Sequence, residues 1–488
     1  MNGFLHDLRY GVRTFAKAPG FSAVLVLILA LGIGANTAIF SVVRGVLLRP
    51  LPYAEGERIV HVTKQASLAT AEGYFSVPEI RDLKSGSRTL TAIVEYHSMP
   101  FTLLGRGEPD RVQTGVVSAE LFEVLGVKPL LGRTFRPGED RPGAEPVLVL
   151  SHSYWRRRFG GDPGIVGQTF EMNDRVHTVV GVLPPMPQYP DENDVYMPVS
   201  SCPFRSRERF IENREARMMH VFAQLRDGVT VEQARSDLAV VADRLRGEHP
   251  EAYATPAGLR LDAVPLKEEL TRPARPTLLL LLGTVGFVLL LVCANVANLV
   301  LARLLRRHQE MAVRTALGAG RGRLLRQVLV ESLLLALAGG ALGLLLAGAG
   351  LDMLVAFAAR FTPRAAEVEI DSGVLLFTLL VAVATGVASG LLPAALSRQE
   401  PADALKAGGS RATAGRRRAR SLLVVLQFAL SFLLLAGAGL MLRSLLALER
   451  VDPGFRPGNV LTATLVLNWS RYTSSSELLA FFRPLLAE

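Results

Sequence analysis

The sequence predicts a polytopic α-helical membrane protein with five spans and a large mixed α/β, two-lobed extracytoplasmic domain, and three observations predict it. Five stretches carry no charged residue over 20 to 27 positions, more than 200 residues separate the first stretch from the second, and basic residues concentrate in alternate connecting segments. With 20% of all residues charged, a random window of that length would hold about four or five charges. Each charge at a helix centre costs roughly 2.5–3.5 kcal/mol on insertion, and about 20 apolar residues cross the hydrocarbon core. A buried core helix of a soluble protein would be shorter, so the stretches read as spans.

In chain order the organisation is an amphipathic cytoplasmic leader at 1–20, span one at 21–43 and an extracytoplasmic domain at 44–275. Span two follows at 276–302, a cytoplasmic loop at 303–331, span three at 332–351, an external loop at 352–371 and span four at 372–397. A basic cytoplasmic linker at 398–420 leads to span five at 421–442 and an external tail at 443–488. Span one has a basic leader but a longer apolar run than a cleaved signal, and no clear small-x-small site, so it reads as a retained anchor.

The leader, the 303–331 loop and the 398–420 linker together hold 17 basic and 5 acidic residues, a net +12 against +10 for the whole chain, which leaves about −2 for the rest. By the positive-inside rule the N-terminus is cytoplasmic and the large domain lies across the membrane. The pI near 9.9 is thereby accounted for by topology and by anionic membrane lipids, so no nucleic-acid partner is expected. Cys202 is external and Cys293 lies in span two, so the two are not expected to pair.

Within the external domain, Glu57 to Lys64, Leu90 to Leu104 and Met218 to Leu225 read as strands, and Val77 to Lys84 as a short helix. Thr230 to Arg246 reads as a helix opened by a Thr230–Gln233 capping box, with Ala234, Leu238, Val241 and Leu245 along one face. These units lie at the two ends of the domain, which suggests one lobe built from both ends and a second inserted at about 118–217. The insert reads as short strands and turns, at Val147 to Leu150, Gly167 to Asn173 and Val176 to Leu183.

Ser151, His152 and Ser153 invite a nucleophile reading, and His97, His152, His177 and His220 a metal reading. No G-x-S-x-G elbow, H-E-x-x-H or Cys/His ligand spacing supports either, so no catalytic, cofactor or metal residues are expected. The acidic run Asp191, Glu192, Asp194 reads as a solvated loop.

In the membrane, Gly32 and Gly34 in span one and Gly339 and Gly343 in span three are candidate helix-packing positions, because small residues let backbones approach. Asn36, Asn295 and Asn298 are either a polar path or interhelical hydrogen bonds, the second being the simpler reading. No Asp, Glu, Lys or Arg lies within a span, so ion coupling has no visible titratable carrier.

The loop after span two is the sharpest local signal. From Glu310 to Arg321 it places Ala312, Val313, Ala316 and Leu317 on one face of a short helix, ringed by Arg307, Glu310, Arg314 and Arg321, with Gly318 and Gly320 ending it. Such a helix can dock a cytoplasmic partner or lie among headgroups.

This stretch resembles the signature of FtsX-like permeases of ATP-binding-cassette systems, where it is the coupling helix. Val117 to Val127 with Leu131 to Phe135, and Gly161 to Gly167 with Val179 to Pro184, resemble the periplasmic core domain of MacB-like permeases. Asp7 to Tyr10, Pro19 to Phe21, Ala30 to Thr37 and Leu48 to Pro52 are similar to the duplicated orphan permeases of acidobacteria. The resemblance implies a bacterial inner-membrane permease subunit working as a homodimer, or as a pseudo-dimer through a second repeat. It implies that a cytoplasmic ATPase acts through Glu310, Arg314, Gly318 and Arg321, which are coupling rather than catalytic positions. No G-x-x-x-x-G-K-[S/T] occurs, so a partner is expected to supply the ATPase.

From about Arg416 the order of basic leader, span, Arg443, an Asp452-Pro453-Gly454 turn and a strand-like Val460 to Leu467 repeats that of the N-terminus. An incomplete second repeat, and a longer full version, are the expectation. The competing class is a membrane-anchored scaffold or signalling protein with a ligand-binding external domain and no ATPase partner. A membrane-bound hydrolase would need Ser151 and His152 as its nucleophile and base.

Overall fold

The computed structural model describes residues 13, 15, 18–65, 74–105, 108–188, 191–203, 205–253, 258–306, 321–359, 362–396, 410–451, 465, 467–468, 471–472 and 474–487. Most of the leader, the loop positions Glu310, Arg314 and Gly318, the 398–409 part of the linker, the Asp452-Pro453-Gly454 turn and nearly all of the Val460 to Leu467 run lie outside the described residues. The chain divides into two compact units, one of 1–48 with 273–460 and one of 49–272 with 461–488.

The first unit is helical. Among the described residues five helices are long and apolar enough to cross a membrane, at Pro19–Leu48, Arg275–Arg303, Leu325–Ala349, Ser372–Leu391 and Val424–Glu449. Two helices extend well beyond their charge-free stretches: span three lies within a helix that begins at Arg321, and span five within one that begins at Ser410. Charge exclusion marks the part that sits in hydrocarbon, whereas backbone hydrogen bonding continues for as long as the residues tolerate a helix. Between spans three and four lie a helix at Leu351–Ala358 and a 3₁₀ turn at Pro363–Glu367.

Leu25, Leu29 and Ile33 of span one, Val292 and Val296 of span two, Leu335 of span three and Ala382 of span four form one buried cluster. Span five keeps most of its apolar surface exposed, Phe428 and Leu435 among it. Its hydrogen bonds reach span two, where Asn298 Nδ2 donates to Gln427 Oε1 (3.3 Å) and Gln427 Nε2 to Asn295 Oδ1 (3.0 Å).

The second unit is mixed α/β. Its strands are β1 (Ile59–Gln65), β2 (Leu90–Leu104), β3 (Asp110–Val117), β4 (Leu131–Gly132), β5 (Val147–Leu150), β6 (Thr169–Met172), β7 (Arg175–Val182), β8 (Val195–Pro198), β9 (His220–Leu225) and β10 (Arg260–Pro265). They form one sheet in the order β10-β1-β9-β2-β3-β8-β5-β7-β4, with β6 paired to β2 and β7. The two ends of the domain do meet, since β1 pairs antiparallel with both β9 and β10. The inserted part continues the same hydrogen-bonded sheet through β3 and β8 rather than building a separate one, so the two lobes share a sheet.

Both faces of that sheet are covered. Side chains alternate along each strand, so Val60 and Val62, Leu148 and Leu150, and Val221 and Ala223 enter one core, while Ile59, Val147, Val149 and Phe222 enter the other. The first core is roofed in part by the Val231–Glu248 helix through Ala234, Leu238, Val241 and Leu245, and the Thr230–Gln233 capping box is formed. The Val77–Gly86 helix has a capping box between Ser76 and Glu79.

Glu79 has a second task. Its Oε2 accepts from Lys64 Nζ at 2.7 Å with both side chains almost fully buried, and its Oε1 accepts from the Tyr253 hydroxyl at 2.9 Å. Burial pushes the Lys64 ammonium down to about 8, opposed by the attraction of Glu79. Removing one member of such a pair strands the other charge, whereas replacing both with apolar groups is often tolerated. Glu79→Ala is therefore expected to destabilise the external domain by about 3–5 kcal/mol, and Lys64→Met with Glu79→Gln by less, because the amide leaves no unpaired charge at either position and its oxygen still accepts from one of the Ser76 N–H and the Tyr253 hydroxyl. Denaturant unfolding followed by tryptophan fluorescence separates these outcomes.

Candidate functional site

Span one is the element to which the other spans of the first unit are referred. Near the N-terminal end of its helix, the Arg303 guanidinium lies over the Phe21 ring, 5.2 Å from its centroid, tying span two to span one. At mid-depth the contact is backbone to backbone: a Cβ on Gly34 would lie 2.8 Å from the Gly343 carbonyl oxygen, and a Cβ on Gly343 would lie 2.8 Å from that of Ala30. Gly339 sits against Leu29, and a Cβ on Gly32 would meet Val292 of span two at 2.9 Å. The structure thus brings Gly34, Gly339 and Gly343 together between spans one and three, and places Gly32 against span two.

Polar side chains add interhelical bonds where no water can serve. Asn36 Nδ2 donates to the Gly32 carbonyl of its own helix and to the Val285 carbonyl of span two, both at 2.9 Å. The Thr37 and Thr378 hydroxyls lie 3.0 Å apart between spans one and four, and Phe40 stacks on Phe377 with centroids 3.8 Å apart. The amides therefore tie helices together, as the simpler of their two readings has it.

At the C-terminal end of span one, Arg44 Nε donates to both oxygens of Asp371 at 2.8 Å. Asp371 Oδ1 also accepts from the Val374 backbone N–H at 3.0 Å, so it caps the helix of span four while holding the end of span one. The Arg44 guanidinium holds the Asp371 carboxyl below the usual carboxylate range. Arg364 is buried nearby: Nε and Nη2 donate to the two oxygens of Glu367 at 2.9 and 2.7 Å, and Nη1 to the Val46 carbonyl at 2.9 Å. None of these four side chains stood out in the sequence. The only signals were the Asp371-Ser372 start of a span and the Arg364/Glu367 spacing of three.

Of the four positions expected to couple to an ATPase, Arg321 opens the helix that continues into span three. Glu310, Arg314 and Gly318 fall in the 307–320 stretch, which the helix of span two ending at Arg306 leads into and the Arg321 helix leads out of.

Ser151 and His152 both make structural contacts. Ser151 is the N-cap of the His152–Phe159 helix, its hydroxyl accepting from Tyr154 N at 3.3 Å, and His152 packs edge-on to Trp155. Among the described residues no group of three or more His, Cys, Asp or Glu is placed to hold a metal ion. His177 is buried and accounted for as a neutral core residue, pushed down to about 4 by burial. His220 is likewise near 4 through burial and the neighbouring His61 and His97. The Asp191, Glu192, Asp194 run is partly engaged: Asp194 Oδ1 accepts from Arg157 at 2.6 Å and Oδ2 from the Gln113 backbone at 3.0 Å. Neither Cys202 nor Cys293 is in a disulfide, and Cys202 Sγ accepts from the Arg205 backbone N–H at 3.4 Å.

Five candidate spans among the described residues, with a mixed α/β unit between the first and second, define a polytopic membrane protein with one large domain outside the helical unit. The family model described as MacB-like periplasmic core domain matches residues 22–241, and that described as FtsX-like permease C-terminal matches residues 283–402. The chain belongs to the MacB/FtsX-like family of ABC-type permeases. It is 28% identical over 299 residues to the macrolide export ATP-binding/permease protein MacB of Salmonella paratyphi A, covering 60% of this chain and 43% of that protein. It is 28% identical over 410 residues to the protein of the same description from Chlorobium luteolum, covering 83% of this chain and 58% of that protein. The chain thus spans less than half the length of the first of these relatives and under two thirds of the second. Among solved structures, the periplasmic region of MacB from Actinobacillus actinomycetemcomitans aligns at 14% identity with a TM-score of 0.35, over 49% of this chain and 97% of that one. The extracellular domain of the noncanonic ABC-type transporter YknZ from Gram-positive bacteria aligns at 17% identity with a TM-score of 0.32, over 42% and 98%.

The Gly34–Gly343 contact has a direct consequence. Gly343→Leu forces the two backbones apart, and overpacking of this kind costs about 1–3 kcal/mol. A lowered thermal midpoint of the membrane unit in detergent is the expected result, with a smaller loss for Gly343→Ala.

Proposed function

We propose that this chain is the permease subunit of an ABC-type transport or mechanotransmission system, in which a separate cytoplasmic ATPase acts on the 303–331 loop and span one passes the movement to the extracytoplasmic domain. The observation that carries this reading is the continuity of span one: a single helix, packed by glycine contacts against span three and bonded to spans two and four, that runs without a break into the entrance of the external domain. The match of residues 283–402 to the FtsX-like permease description supports it, because that stretch contains the loop.

In this reading Glu310, Arg314, Gly318 and Arg321 form the ATPase-contacting surface. Glu310 and Arg314 supply opposite charges four residues apart, Gly318 ends the docking helix, and Arg321 starts the helix of span three. The N-terminus, this loop and the 398–420 linker lie on the cytoplasmic side of a bacterial inner membrane, where their basic excess faces anionic lipid. The chain itself carries out no chemistry. The relatives named above are ATP-binding/permease proteins, whereas these 488 residues contain no phosphate-binding P-loop, so the nucleotide site is assigned to the partner. The exposed apolar surface of span five fits a homodimer, or a pseudo-dimer built through a second repeat.

Affinity purification of the chain from native membranes tests the proposal. A cytoplasmic ABC ATPase is expected to be captured, and Glu310→Lys or Arg314→Glu to reduce its capture at least tenfold without lowering the amount of chain in the membrane. Capture unaffected by both reversals would remove the loop from the coupling role.

A further inference from the structure

The end of span one is not an α-helix. Pro19–Val43 is α-helical, and the next five residues, Arg44–Leu48, form a π-helical turn that leads directly into Arg49. A π turn carries one more residue than an α turn can hold, is rare, and persists only where its surroundings support it.

Those surroundings are supplied by the connection between spans three and four. A helix leaves its last carbonyls without backbone partners, and its C-terminal end attracts cations. Here the Val46 carbonyl belongs to a residue with no exposed surface, so water does not serve it, and Arg364 Nη1 does. Arg364 is 1% exposed. Burying a guanidinium is costly unless it is both neutralised and fully hydrogen bonded. The fork on Glu367 neutralises it, and the bond to Val46 uses a donor that the fork leaves over. Neutralising Glu367 alone would not require the pair to be buried against span one.

Two glycines make room for the arrangement. A Cβ on Gly45 would lie 3.0 Å from the Val368 Cα, so the connection approaches the π turn backbone to backbone, and a Cβ on Gly373 would collide with the Arg44 guanidinium. Val42, Val43 and Val46 share a buried cluster with Ala365 and Val368.

We propose that Arg364 is a positioning residue that holds the final turn of span one in its π form, making the 362–371 segment a latch on the exit of span one. Release of the latch lets the turn reset to an α-helix. Removing the extra residue advances everything after it by one position, a rotation of about 100° and a translation of about 1.5 Å. The latch rests on the proposed role of span one as the transmission element, and it regulates the output end of that element.

The test uses the whole chain in lipid nanodiscs, with Cys202→Ala and Cys293→Ala as background and spin labels at Leu48→Cys and Glu369→Cys, both exposed positions. Pulsed electron–electron distance measurement is expected to give one narrow population in the parent. Arg364→Leu combined with Glu367→Leu keeps the site filled and uncharged, so the unit stays folded, but leaves the Val46 carbonyl without its donor. It is expected to produce a second population shifted by roughly 5–8 Å, the displacement of a side chain turned about 100° around a helix axis. Arg364→Lys, which cannot serve Glu367 and Val46 together in the same fork, is expected to give both populations. A distribution in the double variant identical to that of the parent would overturn the latch. The measurement needs no ATPase, so it can fail while the coupling role stands, and loss of ATPase capture cannot mimic its failure.

Discussion

Everything in the membrane unit is organised by how closely span one and span three approach at Gly34 and Gly343. In hydrocarbon the apolar effect gives helices no reason to associate, so association rests on backbone proximity and on the few polar groups that must find partners within the protein. The glycines supply the first, and Asn36, Thr37 and Thr378 the second. With span one fixed at its middle, its N-terminal end is held to span two through Phe21 and Arg303, and its C-terminal end to the 362–371 connection through Arg44 and Arg364. A helix held in this manner along its length moves as a body, which is what a transmission element requires.

The external domain solves a different problem. Its sheet is buried on both faces, and its entry strand β1 pairs with its exit strand β10 from Val60–Pro265 to Gln65–Arg260. The two points at which the chain enters and leaves the domain are therefore adjacent strands, joined by a ladder of backbone hydrogen bonds that shares any displacement between them. Lys64 on β1 and Glu79 on the next helix lock that edge internally through a buried pair that is neutralised and hydrogen bonded.

The spans were legible because exclusion of charge from hydrocarbon is a one-dimensional property, readable from any stretch of 20 residues. Where their helices end was not, because the helices of spans three and five continue through basic sequence that is as helix-competent as the core. The capping box at Thr230 and the apolar face of its helix were legible for the same local reason. The single continuous sheet was not: its decisive pairings join residues such as His61 and Phe222, which no periodicity relates. The outer contacts were the least visible. Arg44 and Asp371 are 327 positions apart, and the π turn exists through its tertiary neighbours rather than through any propensity of Arg-Gly-Val-Leu-Leu.

Whether span one carries movement from the 303–331 loop to the external domain, as proposed, is decided by hydrogen exchange at Arg44–Leu48 and β1. The exchange is measured in membranes that hold the chain together with the proposed ATPase, with and without ATP, for the native chain and for Gly34→Leu. An ATP-dependent change in protection is expected in the native chain and is expected to be lost when span one is pushed off span three. An equal ATP-dependent change in both chains would rule out transmission through span one.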